Sequence, residues 1–324
     1  MKRVLVVYYS QTGQLRRLAE SVCAPLAASA DITVDWCELQ PREPYPFPWP
    51  FMRFFDQFPE TVHLDPPTLQ PLAVPADARY DLVILAYTVW FLSPAPPVNA
   101  FLQSADGRRL LRDTPVITLI ACRNMWLLAH EIVKRKLAEA GAKLSDNIVL
   151  TDDGPSYATF VTTPRWMLSG RREAFWGLPP AGLDEAQIAG AARFGSAIGQ
   201  ALRDGSLDGH GPVLRGLGAS RADMRLLPSE KIGRRSFQIW GRLIRALGPQ
   251  GAWQRRPVLV LYAAFLVAMI LTIVPLTMLL RAALRPLAAR RMRAQKDYYE
   301  QPSGSGTELL GAPGTELLGS HGHD

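Results

Sequence analysis

Hydrophobic positions in the first 200 residues follow two alternating patterns. Short, nearly continuous apolar runs rich in β-branched residues are typical of strands buried on both faces, and they occupy residues 2–9, 32–39, 81–87, 115–121 and 147–151. Between and after these runs, apolar residues recur every three or four positions, which predicts helices over 13–29, 94–104, 125–140 and 184–203. Strands separated by helices need right-handed crossovers. Residues 1–203 are therefore predicted to form an α/β domain, a five-stranded parallel sheet with helices on both faces.

Two long segments interrupt this alternation. They are residues 41–75, which are rich in proline and aromatic residues, and residues 152–182. Loops of this length in a compact domain usually serve a function. The first is interpreted either as a cover over the sheet edge or as the lip of a substrate site. The second follows the last strand, and ligands of open α/β sheets bind beyond the carboxyl ends of the strands, so it is predicted to be a functional loop.

The C-terminal third departs from the α/β pattern. Residues 204–228 are predicted to be a linker and residues 229–248 a basic amphipathic helix. Residues 257–280 contain no charged side chain, and as a helix they would be about 36 Å long, enough for a hydrocarbon layer of about 30 Å. We therefore predict a transmembrane or re-entrant membrane helix over 257–281. A disordered tail is predicted over 297–324, where GTELLG occurs twice.

Charge is distributed unevenly along the chain. Its 324 residues include 36 Lys and Arg against 29 Asp and Glu, a net charge of +7. Residues 221–296 contain fifteen basic and two acidic residues and carry +13, so the remainder carries −6. Because this basic segment also contains the longest apolar run, its predicted partner is an anionic membrane rather than nucleic acid. A simple span would export the arginines that follow residue 280, against the positive-inside tendency, so the re-entrant alternative stays open.

Composition narrows the class of protein. A hydrophobic content of 48% with ordinary charge excludes a wholly disordered or collagen-like chain. The three cysteines (Cys23, Cys37 and Cys122) are too far apart for a zinc pattern and indicate a reducing setting. The five histidines have no metal-ligand spacing, so no metal site is expected. The α/β domain is accordingly expected to face the cytosol, on the inner (cytoplasmic) membrane.

The strongest chemical signal lies between the first strand and the first helix, where the sequence reads SQTGQL. Hydroxyl groups there can donate to a phosphate, glycine lets the backbone come close, and the free N–H groups of the helix start complete an anion site. The segment has no lysine, unlike a P-loop, and no G-x-G-x-x-G pattern, so it predicts a phosphomonoester site. The alternative is an ordinary N-capped helix. The predicted binding residues are Ser10, Thr12, Gly13, Gln14 and Leu15.

Two further loops, after the third and fourth strands, combine polar groups with an aromatic residue where a flat heterocycle can lie. Their residues are Thr88, Val89, Trp90 and Phe91 in one loop and Cys122, Arg123, Asn124 and Trp126 in the other. Taken singly, either tryptophan also fits an ordinary core position. Three such loops at the ends of strands one, three and four favour a binding site.

These loops resemble those of the flavodoxin-like FMN proteins, and the resemblance covers residues 1–203. It implies that the phosphate of FMN is held by Ser10, Thr12, Gly13, Gln14 and Leu15 and that residues 88–91 and 122–126 flank its ring. The longer set YYSQTGQL, AYTVWFLSP, ACRNMW and TFVTTPRWML resembles a narrower family, the dialkylresorcinol condensing or aromatising enzymes. That resemblance implies a lipidic cyclohexanedione substrate, which is oxidised to a dialkylresorcinol in concert with a ketosynthase partner.

Aromatisation of a cyclohexanedione removes one hydride and one proton. The flavin can take the hydride, while the protein must orient the ring and stabilise the enolate oxygen as the proton leaves. Arg123, a permanent cation with a planar fork, is the first candidate for this oxyanion partner. Tyr157 and Arg165 are the further catalytic candidates, although Arg165 alternatively pairs with Asp152 or Asp153. His130 lies in the helix after the third loop, where a structural or solvent-facing role is expected.

Other functions fit the same loops. An NAD(P)H-dependent quinone reductase would share the fold and FMN, and a membrane quinone would explain an anchor. A flavodoxin-type protoporphyrinogen oxidase would also be an aromatising flavoenzyme. The non-enzyme alternatives are an electron-transfer flavodoxin and a membrane adaptor. The apolar helix alternatively packs in a homodimer or on the ketosynthase partner.

Overall fold

A five-stranded parallel sheet forms the centre of the protein. The computed structural model describes residues 1–207 and 211–310, with the backbone alone described over 273–292. Its strands are β1 (Lys2–Tyr8), β2 (Ile32–Glu38), β3 (Leu82–Tyr87), β4 (Val89–Trp90), β5 (Ser93–Pro94), β6 (Pro115–Cys122) and β7 (Lys143–Thr151). The sheet order is β2-β1-β3-β6-β7, and β4 and β5 form a separate antiparallel pair. This order is that of the flavodoxin-like fold, which confirms the predicted fold class.

Helices cover both faces of the sheet. They are α1 (Gln14–Ala27), α2 (Phe51–Asp56), α3 (Phe58–His63), α4 (Pro96–Gln103), α5 (Ala105–Leu111), α6 (Leu127–Glu139), α7 (Ser156–Ser169), α8 (Glu185–Gly190) and α9 (Ala192–Asp204). Alternate residues of β1 enter opposite cores, because successive strand side chains point to opposite faces. Val4 and Val6 pack with α1 and α9, whereas Leu5 and Val7 pack with α4 and α6.

The segment predicted as a linker is packed on the edge of the sheet. Leu214 and Leu217 are buried in the core beside α1 and α9. The carbonyl of Ala219 accepts a hydrogen bond of 2.8 Å from the backbone N–H of Val149 in β7. The linker prediction is therefore wrong for residues 211–228, and residues 208–210 lie outside the described chain. An edge strand has unpaired backbone groups, and this segment covers them.

Part of the predicted disordered tail is also ordered. The hydroxyl of Ser303 donates to the buried carboxylate of Asp146 at 2.7 Å and accepts from the backbone N–H of Asn147 at 2.7 Å. The backbone N–H of Gly218 donates to the carbonyl of Gly306 at 2.6 Å. Buried polar groups need partners, and residues 301–306 supply them to β7, so the prediction is wrong for residues 297–310. Residues 311–324 lie outside the described part.

Two C-terminal helices, α10 (Leu227–Arg245) and α11 (Arg256–Glu300), pack on the α2–α3 insertion. α10 is the predicted basic amphipathic helix. α11 runs through the predicted membrane segment and continues to the tail. Within the described residues, one stretch, Trp253–Thr272, is long and apolar enough to cross a membrane by length and composition. The buried side chain of Arg255, which pairs with Asp56 at 3.2 Å and with Glu60 at 2.8 Å, fixes the start of α11 to the body.

Candidate functional site

The three predicted loops meet at the carboxyl edge of the sheet, because they follow the adjacent strands β1, β3 and β6. The strand order reverses between β1 and β3, and ligands of open α/β sheets bind at such a point. The rings of Tyr9 and Trp90 lie 6.1 Å apart and connect the first loop to the second. We refer to residues 9–14, 88–91 and 122–126 as loop 1, loop 2 and loop 3.

Loop 1 provides an open anion site at the start of α1. Gly13 adopts the left-handed conformation at φ 78°, which a glycine adopts without strain. A Cβ atom at this position would meet nothing within 4 Å, so the space above the backbone is free. Gly13, the N-cap residue of α1, has no side chain that could cap the helix. In the first turn, the backbone N–H of Arg16 donates a hydrogen bond of 3.3 Å to the hydroxyl of Ser10. Free first-turn N–H groups beside open space fit a phosphate.

Some side chains at loop 1 and the start of α1 face the open space of the site, and others pack against the rest of the domain. Thr12 and Ser10 are half-buried at the open space. The Gln14 amide donates to the carbonyl of Leu183 and accepts from its N–H, each at 3.1 Å, and so ties loop 1 to the second insertion. Leu15 is buried in the core. Gln14 and Leu15 are therefore able to contribute only their backbone N–H groups to an anion.

Gln11 is a loop 1 residue that the sequence prediction missed. Its amide donates to the carbonyl of Pro46 at 2.9 Å and accepts from the indole N–H of Trp49 at 2.9 Å. These two bonds fix the first insertion against loop 1. The first insertion is thus part of the wall of the site. This favours the interpretation of the insertion as the lip of a substrate site and not as a cover over the sheet edge.

Loop 2 presents Trp90 to the site within a group of aromatic rings. Its ring centroid lies 5.3 Å from that of Tyr45 and 5.6 Å from that of Trp49, both in the first insertion. Trp90 is half-buried, as a residue that keeps one surface available would be. Tyr45 and Trp49 were not predicted as individual site residues, although the aromatic composition of the insertion was the signal for them.

Phe91 turns away from this group. Its ring packs 5.1 Å from Phe54 and 5.3 Å from Phe58, in the cluster beneath α10 and α11. Phe91 and Leu92 both have positive φ, at 48° and 59°, in the turn between β4 and β5. Such turns normally use Asn or Gly, and strained non-glycine residues are concentrated at functional sites. The expectation that Phe91 flanks a ring is thus corrected: it anchors loop 2 to the insertion. Thr88 and Val89 lie half-buried in the same loop.

Loop 3 brings one cation to the site. The guanidinium of Arg123 lies 4.0 Å from the centre of the Phe160 ring in α7 and donates to Oδ1 of Asn124 at 3.2 Å. Burial lowers the pKa of Arg123 to about 10, and the nearby carboxylate of Asp152 only partly opposes this effect. The half-buried side chain is therefore a cation at neutral pH that is partly shielded from solvent. Charges act more strongly in such surroundings than in water.

Of the other residues at or next to loop 3, Trp126 needs a correction. Trp126 is buried and packs edge-on against His130, with 5.8 Å between the ring centroids, so it belongs to the core instead of flanking a ring. Burial raises the pKa of the half-buried Cys122, whose thiol therefore stays protonated. The ring of His130 is buried with Nδ1 2.9 Å from the hydroxyl of Tyr87, and burial lowers its pKa to about 3. A neutral His130 is structural, as expected.

Tyr157 and Arg165 lie in the second insertion, on α7. Tyr157 is exposed. Arg165 donates to the carboxylate of Glu173 at 2.7 Å and to two backbone carbonyls, and its guanidinium lies 4.2 Å from the centre of the Phe175 ring. The ion-pair partner of Arg165 is thus Glu173, and not Asp152 or Asp153 as the sequence suggested. Because the donors of Arg165 hold the insertion together, a catalytic role for this residue is not supported.

Glu230 is a further residue that the sequence prediction missed. It lies on α10, is fully buried, and accepts hydrogen bonds from the backbone N–H groups of Leu127 at 3.4 Å and Leu128 at 2.9 Å. These groups belong to the first turn of α6, directly after loop 3. The sequence contained one indication that Glu230 is special. It is one of only two acidic residues in the segment 221–296, which contains fifteen basic residues.

The assembled site can bind a phosphomonoester at loop 1, place a flat ring beside Trp90, and offer the cation of Arg123 to a developing negative charge. Over the described residues, no group of three His, Cys, Asp or Glu side chains is arranged to hold a metal ion. The loops that form the site are those that the FMN resemblance identified.

No family model and no curated protein matches this chain. Among solved structures, it is similar to a flavoprotein in complex with FMN from Lactobacillus acidophilus, with 19% identity over 45% of this chain and 92% of that one (TM-score 0.37). It is similar to a flavodoxin from the Archaea, with 10% identity over 63% of this chain and 99% of that one (TM-score 0.31). A flavone reductase is 13% identical over 64% of each chain (TM-score 0.32). The flavodoxin-like assignment follows from the chain's own strand order.

Proposed function

We propose that this protein is an FMN-dependent oxidoreductase. The observation that carries the proposal is the open anion site at Gly13, at the carboxyl end of β1 where the strand order reverses. The N–H groups of the first turn of α1, with the hydroxyls of Ser10 and Thr12, bind the phosphate of FMN. Trp90 forms one wall for the ring. The bound cofactor supplies a hydride acceptor.

Arg123 stabilises the negative charge that develops when the substrate loses a proton. Its guanidinium is held in place by Phe160 and Asn124, so it need not reorganise during the reaction. A preorganised oxyanion donor is worth on the order of 3 kcal/mol to a transition state.

The proposed substrate is a lipidic cyclohexanedione, which is aromatised to a dialkylresorcinol in concert with a ketosynthase that forms the ring. The balance is one hydride transferred to the cofactor and one proton released to the solvent. Aromatic side chains of the first insertion, such as Tyr45 and Trp49, surround loop 2 and suit an apolar ring. The amphipathic helix α10 and the apolar start of α11 pack against the same loop through Phe58.

A membrane quinone reductase is the second candidate. The same cation would stabilise a hydroquinone oxygen as it forms, and the same apolar surroundings suit a quinone. The two functions differ in the direction of electron flow, because a reductase needs NAD(P)H as the donor.

The test is an anaerobic mixing experiment with the purified, FMN-loaded protein. A dialkyl-cyclohexanedione is expected to bleach the visible flavin band and to yield the resorcinol in equal amount. If NADPH bleaches the band and the dione does not, the protein is a reductase. A protein that does not bind FMN would contradict both functions.

A further inference from the structure

Helices α10 and α11 leave a large apolar surface uncovered. Ile239 and Leu243 on α10 are 58% and 49% exposed, and Leu261, Val267 and Leu271 on α11 are more than half exposed. The two faces are continuous, because Ile232, Ile239 and Trp240 of α10 line a cavity of about 470 Å³ together with Phe265 of α11. A contiguous exposed apolar surface of this kind marks an interaction site.

Basic residues lie on the same surface. Arg235 lines the cavity, and Arg242 follows Ile239 by three positions, on the same side of α10. Both arginines are exposed. Among the described residues neither arginine forms an ion pair, whereas Arg245 of the same helix pairs with Asp65 of the body. An apolar surface edged by exposed arginines complements anionic lipid.

Both ends of α11 are fixed to the same globular body. Near its start, the ring of Tyr262 stacks on that of Phe58 with 4.3 Å between centroids. At its end, the hydroxyl of Tyr298 donates to Glu131 of α6 at 2.8 Å, and Glu300 accepts from the backbone N–H of Ala222 at 2.8 Å. A simple span would carry residues 298–310 to the far side of a bilayer, away from these partners. These contacts are kept if the protein attaches to the membrane with both ends of α11 on the same side of the bilayer.

We infer that the protein docks on an anionic bilayer from one side only, through the surface of α10 and the first part of α11. Both ends of α11 stay on the side of the flavodoxin-like body. Docking places the bilayer next to loop 2, because Tyr262 stacks on Phe58, which contacts Phe91. The inference itself does not depend on the flavin chemistry.

Binding of the full-length protein to vesicles tests the surface. Sedimentation with phosphatidylcholine vesicles that contain phosphatidylglycerol is expected, with weaker binding to phosphatidylcholine alone. The Ile239→Asp/Leu243→Asp variant should lose sedimentation. Val161→Asp, at a similarly exposed apolar position on α7, should not. Unchanged thermal unfolding of both variants shows that they are folded.

The basic residues are tested separately. Arg235→Gln/Arg242→Gln should weaken partitioning onto the anionic vesicles about 30-fold, because each contributes about 1 kcal/mol near such a surface and 1.36 kcal/mol is tenfold. Arg108→Gln, at an exposed position on α5, is the matched control. Equal binding of all these proteins, no binding to any vesicle, or a homodimer that uses this surface in place of lipid would overturn the inference.

The topology is tested with epitope tags at both termini of the full chain in oriented membrane vesicles. One-sided docking predicts that a protease removes both tags from the same vesicle preparation and neither from the inverted one. Removal of the two tags from opposite preparations would establish a span and contradict the inference.

Discussion

The carboxylate of Glu230 accepts a hydrogen bond of 2.9 Å from the backbone N–H of Leu128, across 102 positions of the sequence. Leu128 is in the first turn of α6, which begins directly after loop 3. A carboxylate at this position satisfies free N–H groups and interacts favourably with the helix dipole. Through this contact α10 helps to determine where loop 3, and with it Arg123, is placed.

Glu230 should make stability depend on pH. Burial, only partly offset by its two backbone donors, raises its pKa to about 7 from the ordinary 4.5. The folded protein therefore holds this proton more tightly, and the associated stabilisation is complete below pH ~4.5 and lost as pH rises through about 7. A shift of this size corresponds to about 3 kcal/mol. Arg234, Cys122 and Tyr299 are the other ionisable groups that interact with it.

The Glu230→Gln variant should flatten this dependence. The free energy of unfolding, measured in urea at pH 5 and pH 8, is expected to fall by up to about 3 kcal/mol in the parent protein and by clearly less in the variant. Glu43→Gln, at an exposed position, is the control and should follow the parent. If the free energy of unfolding changes equally between pH 5 and pH 8 in the parent and in the Glu230→Gln variant, the carboxyl group of Glu230 does not titrate in this range.

Charge reversal in loop 1 should abolish FMN binding. Thr12→Glu/Gly13→Glu places two carboxylates in the anion site and forces an L-residue into φ 78°. Gly177→Glu is a matched control, because Gly177 has φ 75° and equally open surroundings but lies in the second insertion. A fluorescence titration should show at least tenfold weaker binding in the first variant and unchanged binding in the control. Unchanged affinity in both would disprove the anion site.

The Arg123→Met variant should keep FMN and lose turnover. A fall of about 10²-fold is expected from the loss of one oxyanion donor, in single-turnover measurements of flavin bleaching. The same change at Arg165 tests the other arginine of the sequence prediction. Because Arg165 is bound to Glu173, its replacement should lower the thermal stability and leave the turnover within about threefold. The reverse pattern would assign the catalytic charge to Arg165.

The ordered tail should contribute to stability. Ser303→Ala removes the 2.7 Å bond to the buried Asp146 carboxylate and should cost about 1–3 kcal/mol. Ser145→Ala, at a half-buried position with one weak bond of 3.4 Å, is the control and should cost little. Truncation after Pro228 removes these contacts and should yield an unstable protein. A truncated protein as stable as the full chain would show that these contacts add nothing.

The sequence by itself determined the sheet, the helices and the three loops of the site. Buried strands and amphipathic helices follow from the local spacing of apolar residues, and the carboxyl ends of parallel strands necessarily share an edge. Gly13 and Trp90 could therefore be assigned to a site before their contacts were known. The two C-terminal helices were predicted for the same local reason.

Only the tertiary structure decided how the remaining residues are used. Trp126 and Phe91 have the same composition signal as Trp90, but their rings pack into cores that distant segments form. The pairing of Ser303 with Asp146 joins residues 157 positions apart, and that of Gln14 with Leu183 joins residues 169 apart. A polar side chain acts through whichever buried donor or acceptor lies beside it, and that neighbour is set by long-range packing, which the local pattern does not encode.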